Sequence, residues 1–306
     1  MSTPHGPSHE ALLVDLPRAL RGDLARVVDH AMDTFRRERR RRSRGVARVV
    51  CAIDDLLRTD ALEHVDDPTY PAEKRSAIMR DLDRVNVALF TYPRLVRAIT
   101  PTISRVHAIE RRPVRILEVA SGTGDMATAL AEHAAARRIA IELVGSDVSS
   151  DYVAMAERRA RARGSKVRFE TIDAFSLERL PAHAFDVVLM AQSLHHFRPG
   201  QLARVIAGAR HAARHAFVGI DVRRSFAAYP VGLVAAAAVS APGFLHDTVL
   251  TLRKVYSEDE LRLVGELSAP GCAVTARPLH PGFSLLEIDL SSTARDPSQK
   301  GAHPLT

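Results

Sequence analysis

Tryptophan is absent from this chain of 306 residues, aromatic residues make up only 5%, and there are just two cysteines, Cys51 and Cys272. Two cysteines exclude a disulfide scaffold and a zinc site built from cysteine. We expect no metal site. Hydrophobic residues make up 46%, which is typical of a globular protein, and the core must be aliphatic.

Lysine is also scarce and occurs at only four positions, 74, 166, 254 and 300. Arginine therefore supplies most of the net charge of +7, and GC-rich codon usage explains this bias as well as function does. Seven arginines lie between Arg36 and Arg44. Such a run is usually a solvated helix end or loop, although it can contact RNA or an acidic partner. On charge alone we do not expect a nucleic-acid partner.

An export signal is lacking too, because the polar first ten residues lead into no apolar run, and we expect a cytoplasmic location. Charge is missing from Phe226 to Leu245, a stretch that approaches the length of a membrane span. Prolines and glycines interrupt this stretch, so we expect no stable span. A buried helix or pocket lid is the plainer interpretation, and a surface that dips into a bilayer is the alternative.

Hydrophobic periodicity changes once along the chain. Helical spacing predicts helices over 12–32, 46–57 and 72–90, whereas apolar strands at 114–120, 141–148, 167–173, 185–192 and 216–222 alternate with helical segments. This alternation predicts an α/β fold with a Rossmann-like, doubly wound, mainly parallel sheet, helices on both faces and an N-terminal helical extension. We expect a helical region at 1–105 that covers the substrate, a catalytic domain at 106–290 and a flexible tail at 291–306.

Candidate binding residues follow successive strands, where ligands of such sheets bind. Gly122 and Gly124 follow the first strand and permit close approach of the backbone to a ligand. Asp147 ends the second strand at the distance expected of an acid that holds ribose hydroxyls, and Asp173 ends the third. A dinucleotide-binding dehydrogenase shares the glycine loop, but it leaves Asp173 and the two histidines after the fourth strand unexplained.

The segment from Glu118 to Gly124 resembles the first motif of the class I S-adenosylmethionine-dependent methyltransferases, and the resemblance covers about residues 106–290. It implies that S-adenosylmethionine is the cofactor and S-adenosylhomocysteine the product. Ala120 replaces the family's usual first glycine, a change that a negative φ would tolerate. The cofactor-binding residues implied or expected are Glu118, Ala120, Ser121, Gly122, Gly124, Asp147, Val148, Asp173, Ala174, Phe175 and Gln192.

Chemistry is expected from the ends of the fourth and fifth strands. His195 is our candidate base for removing a hydroxyl proton, and Asp221 is its candidate partner. The Leu-His-His-Phe segment at 194–197 is similar to that of methyltransferases with small phenolic, quinol or polyketide-type acceptors. Residues expected to line the acceptor pocket are His196, Arg223, His246, Asp247 and Tyr92.

The sequence thus predicts a methyltransferase of a small, hydroxylated, partly apolar natural product. Transfer to oxygen is preferred over transfer to carbon, which would use the same base. Two alternatives stay open: an RNA methyltransferase that uses the Arg36–Arg44 run, and a module that binds the cofactor without transferring methyl groups. A homodimer is possible.

Overall fold

A computed structural model of the chain describes residues 23–225, 234 and 242–291. The first part of the helix expected from residue 12, most of the uncharged 226–245 stretch and the tail expected after 291 lie outside the described residues.

The described chain is organised around a seven-stranded sheet in the order β3-β2-β1-β4-β5-β7-β6. Strands β1 to β5 run parallel to one another. Strand β7 pairs antiparallel with both β5 and β6. This arrangement confirms the expected fold class. The strands are β1 (Val114–Val119), β2 (Ile141–Asp147), β3 (Arg168–Thr171), β4 (Phe185–Ala191), β5 (Ala213–Val222), β6 (Ala273–Leu279) and β7 (Phe283–Asp289).

Helices cover both faces of the sheet. They are α1 (Leu24–Arg42), α2 (Val46–Leu57), α3 (Ala72–Ala88), α4 (Thr91–Glu110), α5 (Asp125–Ala136), α6 (Ser150–Ala162), α7 (Pro199–Ala212), α8 (Pro242–Lys254) and α9 (Glu258–Ser268). Apolar side chains of α1, α7 and α9 pack on one face, and those of α4, α5 and α6 pack on the other. The sheet therefore lies buried between two apolar layers, as parallel sheets require.

The N-terminal helices belong to these layers rather than to a separate bundle. Val28, Met32 and Phe35 of α1 enter one core, and α4 crosses the expected division between residues 105 and 106 while its apolar face packs in the other. Gly200 allows α1 to approach α7 closely, since a Cβ there would lie 2.2 Å from the carbonyl oxygen of Ala25.

Four of the described elements were missed from the sequence: α4, α8, β6 and β7. Phe90 adopts a left-handed φ of 51° that separates α3 from α4, and Pro101 lies inside α4, so the pattern there did not suggest one long helix. The strands β6 and β7 form a hairpin around residues 280–282. Strand β6 is mostly exposed at the sheet edge, which leaves it with little hydrophobic periodicity.

Two arginines of the Arg36–Arg44 run form ion pairs inside the protein. The Arg36 Nε lies 2.8 Å from Glu260 Oε1, and the Arg39 Nη2 lies 2.8 Å from Asp54 Oδ2. Both acids are buried. This part of the run therefore joins α1 to α9 and α2 and is not a freely solvated surface.

None of the helices within the described ranges combines the length and the hydropathy needed to cross a bilayer.

Candidate active site

The glycine loop between β1 and α5 is built from left-handed residues. The φ angle is 52° at Gly122 and 76° at Gly124, which glycine adopts at little cost. Ala120 has a φ of 53°, so the negative φ that would make alanine harmless is not found. A left-handed alanine costs about 1 kcal/mol or more. The loop keeps its left-handed turn at that cost.

Asp147 holds this loop from the end of β2. Its Oδ2 accepts a hydrogen bond from the Gly122 N–H at 2.9 Å, and its Oδ1 accepts one from the Ser149 N–H at 2.9 Å. Burial raises the pKa of Asp147, while these hydrogen bonds oppose the rise. The next residue, Val148, is 69% exposed. A carboxylate suits the hydroxyl groups of a sugar, and the exposed apolar side chain beside it suits the flat base attached to that sugar.

Two polar atoms of the loop are buried without a partner among the described residues: Glu118 Oε2 and Ser121 Oγ. Burial, followed by the nearby charge of Asp125, raises the pKa of Glu118 to about 8. Buried polar groups are normally satisfied. These two therefore fit a ligand that brings hydrogen-bonding groups to the loop, such as the amino acid part of S-adenosylmethionine.

The end of β3 contributes less than the sequence suggested. Asp173 is exposed and accepts a hydrogen bond from the Phe175 N–H at 2.9 Å, and Ala174 is buried. The Phe175 ring packs edge-on against Phe197 at 5.5 Å, and the guanidinium of Arg204 lies over it. One carboxylate oxygen of Asp173 stays available, but the Phe175 ring is already engaged in packing.

His195 and Asp221 form a buried pair at the ends of the neighbouring strands β4 and β5. The Nδ1 of His195 lies 2.8 Å from Asp221 Oδ2, which also accepts the His195 backbone N–H at 2.8 Å. Burial opposes ionisation of Asp221, but the His195 charge and hydrogen bonds lower its pKa overall. The structure thus brings together the two residues expected to act as base and partner.

The histidine loop is tied directly to the glycine loop. Ser193 donates its hydroxyl to the Ala120 carbonyl at 3.0 Å, and Gln192, with a left-handed φ of 58°, donates its N–H to Ile220. The His195 ring therefore lies beside the loop where a cofactor would bind.

Sequence reasoning missed Glu63, which comes from the segment between α2 and α3. Its Oε1 lies 3.6 Å from His195 Nε2 and 3.2 Å from Lys254 Nζ, and Thr251 donates to its Oε2. Glu63 is only 3% exposed. The sequence shows only an acid between two helical segments. Its burial and its pairing with His195 depend on the tertiary fold.

His196 lies beside the His195 ring, with 4.2 Å between the two centroids. Its Nδ1 is 2.6 Å from Asp66 Oδ2. Burial lowers the pKa of His196, but the charges of Asp66 and Glu63 outweigh it and raise that pKa to about 9. His196 is therefore a fixed cation at neutral pH, which makes it a poor proton acceptor.

His246 and Asp247 meet the same segment of chain. Asp247 is buried and accepts the backbone N–H groups of His64 and Val65, at 2.8 and 3.2 Å. His246 stacks on His64 and lies 3.0 Å from Asp247. Asp247 thus holds the segment between α2 and α3 against α8, and the half-exposed His246 remains available to a ligand.

The other two expected acceptor residues are engaged elsewhere. The guanidinium of Arg223 pairs with Glu258 at 2.6 Å. The Tyr92 hydroxyl donates to Asp83 at 3.1 Å and accepts from Asn86, and its ring packs against the core beside α4. Neither contact includes the His195–Asp221 pair.

The fold brings together possible metal ligands that no sequence motif had indicated. Donor atoms of Glu63, His195 and His196 lie within 4.8 Å of one another, as do those of His64, His246 and Asp247. In the first group the Lys254 ammonium already binds Glu63, and its positive charge opposes a cation there. The expectation of no metal stays a prediction.

Helix α3 covers the glycine loop from outside. A Cβ built on Gly122 would lie 3.1 Å from the terminal methyl carbon of Met79. The N-terminal part of the chain therefore encloses both the loop and, through Glu63, the buried histidine.

Comparison with known proteins finds similarity over part of the chain. Residues 116–216 match the family described as methyltransferase domain. A demethylmenaquinone methyltransferase of Thermus thermophilus is 42% identical over 105 residues, 33% of this chain and 46% of that protein. The corresponding enzyme of Deinococcus radiodurans is 38% identical over 90 residues, 29% of this chain and 35% of that protein. The chain therefore matches less than half the length of these curated relatives.

Solved structures share the fold over a longer stretch. The plantazolicin methyltransferase BamL, solved with a triazolic desmethylPZN analog and SAH, superposes with a TM-score of 0.57 at 14% identity, covering 79% of this chain and 98% of its own. BpumL with SAH gives 0.55 at 14% identity, covering 80% and 99%. At this identity the likeness shows the fold alone.

Proposed function

Residues 116–216 belong to the methyltransferase domain family, and on this premise we propose that the protein transfers a methyl group from S-adenosylmethionine to a small, hydroxylated, partly apolar acceptor. The His195–Asp221 pair beside the glycine loop carries the proposal. The quinone-type acceptors named for the relatives support a phenolic or quinol compound.

The cofactor-binding part of the proposal follows from the loop. When bound, S-adenosylmethionine supplies an electrophilic methyl group on a sulfonium. The unpaired Glu118 and Ser121 atoms would hold its amino acid part, Asp147 its ribose, and the exposed Val148 its base. A buried, rigid loop also helps align the acceptor with the methyl group, which is the main requirement of an in-line displacement.

His195 is the residue that would remove the hydroxyl proton. Asp221 binds at Nδ1 and so fixes the tautomer whose Nε2 is free to accept. Glu63 lies on the Nε2 side, where it would contact the acceptor as well. Oxygen remains our preferred target, and methylation at a ring carbon of the same phenol would use the same base.

The first experiment is calorimetric titration with S-adenosylhomocysteine. We expect micromolar binding that Asp147→Ala weakens more than tenfold, because both carboxylate oxygens organise the loop. Absence of binding by the wild type would contradict the cofactor assignment. Binding without turnover on a broad set of phenols and quinols would favour the non-catalytic module.

The second experiment tests the base. His195→Ala should lower kcat at least tenfold and leave S-adenosylhomocysteine affinity nearly unchanged, because the ring is needed for proton removal and not for holding the cofactor. His211→Ala is the matched control, since its ring bonds the Leu180 carbonyl away from the site. Unchanged turnover in His195→Ala would remove its assigned role.

RNA as the acceptor draws less support from the structure, because Arg36 and Arg39 are consumed by buried ion pairs. Deleting residues 1–45 would unpair Glu260 and Asp54 and so confuse loss of RNA binding with loss of folding. Charge reversal at the exposed Arg44 and Arg48 tests that alternative cleanly, by salt-dependent RNA binding.

A further inference from the structure

Helix α2 exposes its apolar face to solvent, whereas an ordinary surface helix buries that face. Its residues Val46, Val49, Val50, Ile53 and Leu56 are 37–81% exposed. Their spacing places them on about one third of the helix circumference. Five large apolar side chains on one exposed face are unusual for the surface of a soluble domain and mark a contact surface. We call these five residues the α2 apolar face.

The polar side of α2 explains why the helix has this orientation. Asp54 is the one α2 residue classed as buried. It is bound by Arg39, Arg58 and Arg224, at 2.8, 3.3 and 2.6 Å. Rotating the helix to bury its apolar face would expose this acid and take the carboxylate away from Arg224, which is 5% exposed. The ion pairs therefore hold the apolar face outward.

Positive charge adjoins this face at its N-terminal end. Arg44 and Arg48 are exposed and make no ion pair within the described ranges. Arg41 and Arg42 precede them and contact only Glu38 at the surface. An occupant that matches both features must be apolar in its interior and anionic at its edge.

Further apolar surface adjoins the same region. Leu62, 65% exposed, precedes the buried Glu63 that faces His195. The contact surface is thus joined by a short segment of chain to the cover of the proposed active site.

We infer that the α2 apolar face docks on an anionic phospholipid bilayer, with Arg44 and Arg48 at the headgroups and the five apolar side chains below them. This is the arrangement of an amphipathic helix lying in the interface. A second copy of this chain would bring apolar side chains but also a second set of unpaired arginines. The 226–241 segment would bring no negative charge. The bilayer satisfies both demands.

Vesicle co-sedimentation tests the inference. The wild type should bind vesicles of 30% phosphatidylglycerol in phosphatidylcholine, and binding to pure phosphatidylcholine should be at least tenfold weaker. Val49→Asp should reduce binding to the anionic vesicles at least tenfold, because a carboxylate would enter the apolar layer. The matched control is Ile109→Asp on α4, since Val49 and Ile109 are both 58% exposed; it should bind as the wild type does.

The charge arm uses the double variant Arg44→Glu, Arg48→Glu, which should lose most binding to anionic vesicles and most of its dependence on salt. Equal sedimentation of all variants, or no sedimentation of the wild type, would overturn the inference. A dimer in light scattering that Val49→Asp splits, without vesicle binding, would assign the face to a second copy instead.

Docking does not depend on the proposed methyl transfer. Titration of each variant with S-adenosylhomocysteine separates the two: retained binding by Val49→Asp shows that its loss of vesicle binding is not a loss of fold. Vesicle binding by a protein that binds no S-adenosylhomocysteine would leave the docking surface standing and remove the proposed function. Thermal melting provides the same control if the cofactor analogue does not bind.

Discussion

Glu118 lies in an environment unlike the usual one of a carboxyl group. It is 1% exposed near the end of β1, and burial raises the pKa of its carboxyl group to about 8. A neutral carboxylic acid can donate a hydrogen bond as well as accept one, which suits the amino and carboxylate groups of the proposed cofactor. The group would cost the folded state stability at neutral pH, a cost that function explains.

This cost can be measured through pH. In the unfolded chain the carboxyl ionises near pH 4.5, whereas in the folded protein it stays protonated to about pH 8. The contribution of this group to the free energy of unfolding is therefore greatest below pH 4.5 and decreases as the pH rises to 8. Glu118→Gln should abolish that fall, so its melting temperature should exceed the wild type's at pH 8 and match it near pH 4.

Asp186→Asn provides a contrast to Glu118→Gln, since Arg112 and Arg115 lower the pKa of Asp186 to about 2 despite its burial. Loss of this carboxylate should destabilise the folded protein at pH 8. A Glu118→Gln variant with unaltered pH dependence would show that Glu118 is ionised in the native state.

At the scale of elements, the packing of α1 on α7 depends on one glycine. Gly200 donates its N–H to Asp29 at 2.7 Å, and a Cβ there would lie 2.2 Å from the Ala25 carbonyl oxygen. Backbone cannot yield as a side chain does, so the two helices would have to separate.

Gly200→Ala should therefore lower the free energy of unfolding by about 2 kcal/mol or more, the upper part of the range for overpacking. Gly164→Ala is the control: its φ is 64° and nothing lies within 4 Å, so it incurs only the left-handed backbone cost of about 1 kcal/mol. Urea denaturation measures both. A Gly200→Ala variant as stable as Gly164→Ala would show that α1 is loosely held.

At the scale of the whole molecule, a buried ion-pair network joins the N-terminal helices to the sheet domain. Glu260 of α9 is fully buried and bound by Arg36 and Arg58, at 2.8 and 2.6 Å. Burial opposes its ionisation, but the two guanidinium groups outweigh burial and hold the pKa of Glu260 far below its usual value. The arginine run is thus partly a structural device that fixes the cover of the site.

Glu260→Gln should lower the free energy of unfolding by about 3–5 kcal/mol, because it leaves Arg36 without its charge partner and removes one of the two carboxylates that bind Arg58. Glu38→Gln, which removes the exposed pairs with Arg41 and Arg42, should change it by less than about 1 kcal/mol. Urea denaturation at low and high salt checks this. Similar effects of the two substitutions would show that the network contributes no more than surface charge.

Local sequence patterns predicted much of the fold. Apolar runs and helical spacing placed the first five strands and most helices. The edge strand β6 was missed because its hydrophobic pattern is weak, and α4 was missed because Pro101 interrupts it. Short-range periodicity records which face of an element is buried, and these elements bury little or are interrupted.

The sequence by itself determined the parallel sheet, the glycine loop and the strand-end residues Asp147, His195 and Asp221, because each follows from its position along a strand. Only the tertiary structure decided that Glu63 faces His195 and that Asp54 turns the apolar face of α2 outward. These contacts join residues more than 100 positions apart or compensate charges across elements. Local propensity cannot encode them, since burial of a charge depends on the partner that the whole fold brings to it.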